Sequence, residues 1–190
     1  WIVTNENALN FRLMSTPVES TAPEHWREVI PHRPEVLLEG VLAFENYLVL
    51  LERTDGLPKI RLSAHDGVSD VHYVSFPEPV YSVNPMTNPE FKTNALRLAY
   101  SSLITPNSVI DYHLDTQVWK LKKQDEIPSG HNPADYVTER LYATASDGAL
   151  VPMSVVYKKG LEKNGHNPTL LYGYGSYGAI IEAGFNASRF

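Results

Sequence analysis

Residues 47–62 read YLVLLERTDGLPKIRL, and this stretch decides the fold class. Two runs of strand-forming residues, 47–52 and 59–62, flank Asp55-Gly56, a dipeptide that favours the two-residue turn of a β-hairpin. The apolar residues follow no helical period, so a helix is not expected here. We therefore predict an antiparallel hairpin at residues 47–62.

Similar pairs of strands recur along the first 123 residues. Leu48 and Leu96 lie in runs that lead two such units, and Ile60 and Ile110 lie in the runs that follow. The copies are nearly fifty residues apart, a period found in β-propeller blades. We predict a mainly β chain with two to three four-stranded blades, whose missing companions would precede Trp1. A β-sandwich, which also contains many short strands, remains an alternative.

The remaining predicted strands are short and are separated by polar, proline or glycine turns. They are residues 1–4, 11–14, 26–30, 36–38, 41–44, 71–76, 95–100, 109–114, 118–121, 136–144, 151–157 and 169–172.

Composition excludes several classes of function. The net charge of −6 and the absence of a long basic cluster disfavour nucleic-acid binding. The chain has no cysteine, and its seven histidines lack metal-ligand spacing, so we expect no metal, no cofactor and structural roles for the histidines. No apolar run could span a membrane, and no signal-peptide pattern is present. We expect a cytoplasmic protein that does not bind membranes.

A change of pattern after residue 123 predicts a domain boundary. Residues 127–133, IPSGHNP, have the composition of a linker. We assign residues 1–130 to the C-terminal part of a propeller and residues 131–190 to the truncated beginning of a second domain. The hairpin predicted at 136–157, across Ser146-Asp147-Gly148, could open an α/β sheet.

The sequence LLYGYGSYG at residues 170–178 is the one place that indicates chemistry. Its glycines match the letters of the dinucleotide fingerprint, but the required helix and acidic residue are missing. The alternative is that a tyrosine hydroxyl donates a hydrogen bond to an oxyanion that forms on a substrate. Ser176 fails the Gly-x-Ser-x-Gly pattern of a hydrolase nucleophile. We expect Tyr172 to lie in a sheet core.

Several motifs in the chain resemble the prolyl oligopeptidase family of serine peptidases, most closely its oligopeptidase B branch. The similarity spans nearly the whole chain, and the segment at 171–179 is its most specific part. The motifs are WREVI (26–30), VLLEG (36–40), YSS (100–102), TP (105–106), YVTERL (136–141), DG (147–148), VP (151–152) and LYGYGSYGA (171–179).

The resemblance implies a fold, an activity and two site residues. A β-propeller would cap an α/β-hydrolase domain, and oligopeptides would be cleaved between them, after Lys or Arg in the oligopeptidase B branch. Tyr174 would donate to the oxyanion, and Tyr177 would line the primary specificity pocket. The catalytic Ser, Asp and His would lie beyond Phe190, so the isolated chain would be inactive and its partners would be the missing parts of both domains.

Two further points follow from the same comparison of motifs. The acidic residues that select Lys or Arg cannot be assigned in this segment, and we expect Glu139, Glu162 and Glu182 to be solvated charges. A non-catalytic propeller-type binding module remains the alternative function. In that case Tyr174 and Tyr177 would be recognition aromatics.

Overall fold

The computed structural model describes residues 1–190 and consists mainly of β-strands. Short 3-10 helices are found at Pro23–His25, Pro133–Asp135 and Ala187–Arg189. The strands in chain order are β1 (Ile2–Thr4), β2 (Arg12–Ser15), β3 (Arg27–Ile30), β4 (Leu37–Ala43), β5 (Leu48–Thr54), β6 (Leu57–Ser63), β7 (His72–Tyr73), β8 (Tyr81–Pro85), β9 (Ala95–Ser102), β10 (Ser108–His113), β11 (Trp119–Gln124), β12 (Tyr136–Thr144) and β13 (Leu150–Lys158). No helix is long and apolar enough to cross a membrane.

The strands form four sheets in which neighbours in space are neighbours in sequence. The orders are β1-β2-β3, β4-β5-β6-β7, β11-β10-β9-β8 and β12-β13. The period is confirmed, because β5 and β9 occupy the same second position in their four-stranded sheets. The predicted start of each repeat was wrong, since β4 and not the strand at Leu48 is the first strand of its sheet. The runs 36–38 and 41–44 form one strand with an irregular register between Leu38 and Gly40, so they were misread as two.

The predicted hairpin at residues 47–62 is confirmed. β5 and β6 are antiparallel, and Thr54 pairs with Leu57 across the two-residue loop. Asp55 and Gly56 both have positive φ, at 50° and 71°. This is the backbone sign of the type I′ turn, whose twist matches that of the flanking strands. A local turn signal therefore sets the register of the second sheet.

An apolar core joins the first two sheets. It contains Leu13 and Ile30 from the first sheet and Leu38, Leu48 and Leu50 from the second, all at most 3% exposed. Gly67 lies against the same region, because a Cβ at its position would be 2.9 Å from the side chains of Val29 and Ile30. With φ at +76° it also occupies a conformation that other residues adopt only with strain. Glycine therefore permits close contact here.

A buried ionic cluster lies in the second sheet beside this core. Glu52 is 1% exposed and accepts hydrogen bonds from Arg33 and from the Tyr73 hydroxyl, the latter at 3.0 Å. Arg61 is 8% exposed, and its Nη1 lies 3.8 Å from Glu52 Oε1. Arg61 Nη2 donates to the Gly67 carbonyl at 2.7 Å. The cluster satisfies a carboxylate that the strand pattern places on the apolar face.

The chain divides into two compact units. The first comprises residues 1–75, 85–98 and 111–120, and the second comprises residues 76–84, 99–110 and 121–190. The hairpin β12-β13 lies in the second unit, where Tyr136 pairs with Lys158 and Thr144 with Leu150. The predicted strand at 136–144 is thus confirmed residue for residue. The domain boundary after residue 130 lies inside the second unit and stays a prediction.

Candidate active site

The candidate site lies in the irregular segment that follows β13. Residues 169–172 form no strand, so the prediction of a buried strand there was wrong. Leu170, Leu171 and Tyr172 are 77%, 88% and 62% exposed, and Tyr172 is therefore not a core residue. The physical reason is that no other strand pairs with this run, and an apolar run alone cannot satisfy its backbone groups as a sheet does. The Tyr172 ring centroid instead lies 5.4 Å from Cζ of the Arg189 guanidinium.

A tight turn follows Tyr174. The carbonyl of Ser176 accepts a hydrogen bond from the Ala179 N–H at 3.0 Å. The two residues between them, Tyr177 and Gly178, have φ of 57° and 66°. Glycine adopts this conformation readily, but a tyrosine does so only with strain, which proteins retain chiefly at functional sites. The turn therefore directs the Tyr177 side chain into solvent, where it is 99% exposed.

Both candidate tyrosines offer accessible hydroxyl groups. The Tyr174 side chain is 54% exposed. A Cβ built on Gly173 or Gly175 would meet no atom within 4 Å, so the backbone on either side of Tyr174 is open to a ligand. Ser176 is exposed, and no hydrogen bond joins its hydroxyl to a histidine. The arrangement can donate hydrogen bonds from tyrosine, but it lacks an activated serine.

An anchor precedes this segment on the chain. Glu139 on β12 accepts hydrogen bonds from the Tyr157 hydroxyl of β13 and from Lys163 Nζ, which lies 2.9 Å from Oε2. The Tyr157 hydrogen bond first, and the Lys163 hydrogen bond and charge next, lower the pKa of Glu139 below its usual value. Glu139 is thus not merely a solvated charge, which corrects the sequence interpretation. It ties the hairpin to the chain that leads toward Tyr174.

No motif in the sequence points to the contacts that follow the candidate segment. The Phe185 N–H donates to the Ser101 hydroxyl at 2.8 Å, although the two residues are 84 positions apart. His131 contacts Ile104 through a hydrogen bond of 2.7 Å and also contacts Phe185. The prediction of a structural, hydrogen-bonded histidine agrees with this geometry. No group of three His, Cys, Asp or Glu side chains could hold a metal ion.

Comparison with known proteins identifies the propeller. The family model for the N-terminal β-propeller domain of prolyl oligopeptidase matches residues 1–125. Dipeptidyl aminopeptidase BI of Pseudoxanthomonas mexicana is 36% identical, with 100% of this chain and 26% of that protein covered. Protease 2 of Moraxella lacunata is 32% identical, with 99% of this chain and 26% of that protein covered. The chain thus spans about a quarter of the length of these relatives.

A solved structure agrees with this assignment. Oligopeptidase B from Trypanosoma brucei, in a closed form with covalently bound antipain, has a TM-score of 0.83 and 33% identity to this chain. The similarity covers 97% of this chain and 27% of that protein. The prediction of a mainly β chain with part of a β-propeller is therefore confirmed, and the β-sandwich is excluded. The chain belongs to the prolyl oligopeptidase family of serine peptidases, and residues 1–125 are part of its N-terminal β-propeller domain.

Proposed function

We propose that the chain is a segment of a serine endopeptidase that hydrolyses oligopeptides, after Lys or Arg, through an acyl-enzyme. The observation that carries the proposal is Tyr174, half-exposed on a glycine-rich loop whose backbone is open on both sides. The named relatives include Protease 2, and the related oligopeptidase B binds antipain covalently. Covalent capture of an inhibitor is consistent with a nucleophilic mechanism.

The proposed organisation assigns a role to each part of the chain. Residues 1–130 would belong to the propeller that caps the active site, and residues 131–190 would begin an α/β-hydrolase domain. The rest of both domains would be the partners of this segment, and the substrate would be an oligopeptide. The chemistry would need no cofactor. A cytoplasmic location is consistent with the cysteine-free sequence.

Tyr174 would act at the step that forms the tetrahedral intermediate. When a serine hydroxyl attacks the scissile carbonyl, its oxygen becomes an oxyanion that requires preorganised donors. The Tyr174 hydroxyl would donate one hydrogen bond, and a backbone N–H from the nucleophile loop would donate another. Such a donor stabilises the transition state more than the ground-state carbonyl, so it raises kcat. Removing one donor of this kind costs about 10²- to 10³-fold in kcat.

Tyr177 would contact the substrate side chain next to the cleaved bond. Tyr177 is fully exposed, so its ring is free to contact a substrate. Its backbone has positive φ, a conformation that is strained for tyrosine. A flat aromatic surface suits the aliphatic stem of a Lys or Arg side chain and can contact its charge. The carboxylate that would select the charge is not assigned to any residue in this chain.

The test is Tyr174→Phe in the full-length peptidase, with Tyr172→Phe as the matched control. Both changes remove one exposed hydroxyl from the same segment. We expect Tyr174→Phe to lower kcat by about 10²- to 10³-fold with little change in KM, and Tyr172→Phe to leave both unchanged. An unchanged kcat in Tyr174→Phe with a raised KM would support the non-catalytic recognition role instead. The isolated 190-residue chain should show no peptidase activity.

A further inference from the structure

The segment after the candidate loop returns to strand β9 and is held there. Ala183 is 6% exposed, and the next contact is the hydrogen bond from the Phe185 N–H to Ser101 Oγ at 2.8 Å. Ser101 is 7% exposed and donates its own proton to the Thr105 carbonyl at 3.3 Å. One buried hydroxyl therefore joins the β9–β10 connection to the chain that follows Tyr174.

Four aromatic rings reinforce this attachment. We call His131, Tyr136, Phe185 and Phe190 the aromatic cluster. Phe185 lies 4.8 Å from His131 and 5.4 Å from Phe190, and Tyr136 lies 4.6 Å from Phe190, measured between ring centroids. Ring pairs at these distances stabilise beyond the area that they bury. The cluster therefore connects the chain before β12 with the segment 185–190.

His131 links the cluster to the same connection that Ser101 uses. Its Nε2 lies 2.7 Å from the Ile104 carbonyl oxygen. A carbonyl only accepts, so Nε2 carries the proton in this hydrogen bond. Ser101 reaches Thr105 and His131 reaches Ile104, which are adjacent residues. Two side chains from distant parts of the sequence thus fix segment 183–190 to one short turn.

We propose that Ser101 and His131 are positioning residues that hold the Tyr174 loop in its donating conformation. This inference rests on the proposed function. A Cβ built on Gly173 or Gly175 would meet no atom within 4 Å, so no neighbouring group packs closely against the backbone on either side of Tyr174. The loop is instead fixed at its ends, by the Glu139 and Lys163 ion pair before it and by Ser101 and His131 after it. Releasing one end returns conformational freedom to a glycine-rich chain.

The first test is amide hydrogen exchange in the full-length peptidase. Ser101→Ala removes the acceptor of the Phe185 N–H, and we expect that amide to exchange at least about fivefold faster, the effect of losing one hydrogen bond. The matched control is Ser63→Ala, because Ser63 is fully buried and its hydroxyl has no partner. Equal exchange rates of the Phe185 amide in the unsubstituted protein and in Ser101→Ala would overturn the inference.

His131 provides an independent variant with a rescue. His131→Ala removes both the hydrogen bond to Ile104 and the ring contacts with Phe185, and we expect the same faster exchange at Phe185. His131→Gln restores an N–H donor without the ring, so it should recover part of the protection. His166→Ala, in an exposed loop, should have no effect. Full protection of Phe185 in His131→Ala would contradict the role of the histidine.

The second test asks whether the attachment acts through Tyr174. In the full-length peptidase we expect Ser101→Ala to lower kcat by about 5- to 100-fold, because a displaced catalytic group loses rate steeply. Added to Tyr174→Phe, it should lower kcat no further, since a loop without its donor gains nothing from being positioned. A merely structural role predicts that the two losses multiply, and that result would overturn the inference alone. An unchanged kcat in Tyr174→Phe would refute the proposed function itself.

Discussion

Glu52→Gln is expected to destabilise the first compact unit far more than the loss of an exposed charge. The substitution keeps the shape of the side chain but removes the only carboxylate that contacts Arg33 and Arg61 in the buried cluster. Arg61 is only 8% exposed, so water has little access to its guanidinium once the Glu52 carboxylate is removed. Its Nη1 already lacks a hydrogen-bond partner. Breaking a buried ion pair from one side costs about 3–5 kcal/mol.

The exposure of Arg33 sets the value within this range. The Arg33 side chain is 28% exposed, so water can solvate its charge in part when the Glu52 carboxylate is removed. We therefore expect a loss of folding free energy near the lower limit, about 3 kcal/mol. Burial opposes the charged form of Arg33, but the hydrogen bond and the charge of Glu52 outweigh it and raise the pKa of Arg33. With a urea m-value of about 2 kcal/mol/M, the midpoint should fall by about 1.5 M.

Urea unfolding followed by tryptophan fluorescence measures this cost. Glu45→Gln is the matched control, because its partner Lys92 is 78% exposed and the pair should contribute little to stability. A second readout is the Tyr73 hydroxyl, whose pKa is raised by burial first and by the charge of Glu52 next. That pKa should fall in Glu52→Gln. Equal midpoint shifts in Glu52→Gln and Glu45→Gln would refute the reasoning.

Three further predictions concern the same unit. The hydrogen bond to Asp115 raises the pKa of Tyr47 to about 12, so its contribution should be complete below pH 10 and be lost as pH rises through 12. Tyr47→Phe should abolish that loss of stability in alkaline unfolding experiments. Gly67→Ala should lower the urea midpoint more than Gly130→Ala, since both have positive φ but only Gly67 lacks space for a Cβ. Leu50→Ala, at a fully buried core position, should lower stability by about 2–5 kcal/mol in the same measurement.

Local signals were sufficient for most hairpins. The pair β5-β6 was predicted from Asp55-Gly56, and β12 was predicted to its exact ends, because alternating strands and turn residues are encoded in short stretches. Strand β8 (Tyr81–Pro85) was missed. It follows two prolines and ends in a third, and proline argues against a strand. Val80 and Val83 are nonetheless 0% and 3% exposed, so burial stabilises this strand despite its composition.

Strand ends were less predictable than strand positions. The run 71–76 was predicted as one strand, but only His72–Tyr73 pairs with β6. The run 169–172 has the residues of a buried strand and forms none, because pairing depends on neighbours that a short apolar run does not specify. A period can therefore be read from sequence, while the partner of each strand is a property of the whole fold.

The candidate site was likewise predictable only in part. Tyr174 and Tyr177 could be singled out from glycine spacing and motif similarity, and their roles stay proposals. The attachment through Ser101 could not be predicted, because nothing near that serine points to Phe185. The buried Glu52 had a visible signal, a charge on the apolar face of a strand, but its partner Arg33 lies outside the strand and was not identifiable. Contacts between residues that are far apart in the sequence can be identified only once the fold is known.

The most direct test of the central claim is fluorophosphonate labelling of the protein that carries these residues, followed by intact-mass spectrometry and digestion. We predict a polypeptide of which this chain is about a quarter, as in its relatives, with a label on one serine. The labelled peptide should lie outside residues 1–190, and Ser176 should be unmodified. A labelled Ser176, or a protein of relatives' length that takes no label, would contradict the claim that this chain is one part of a serine peptidase.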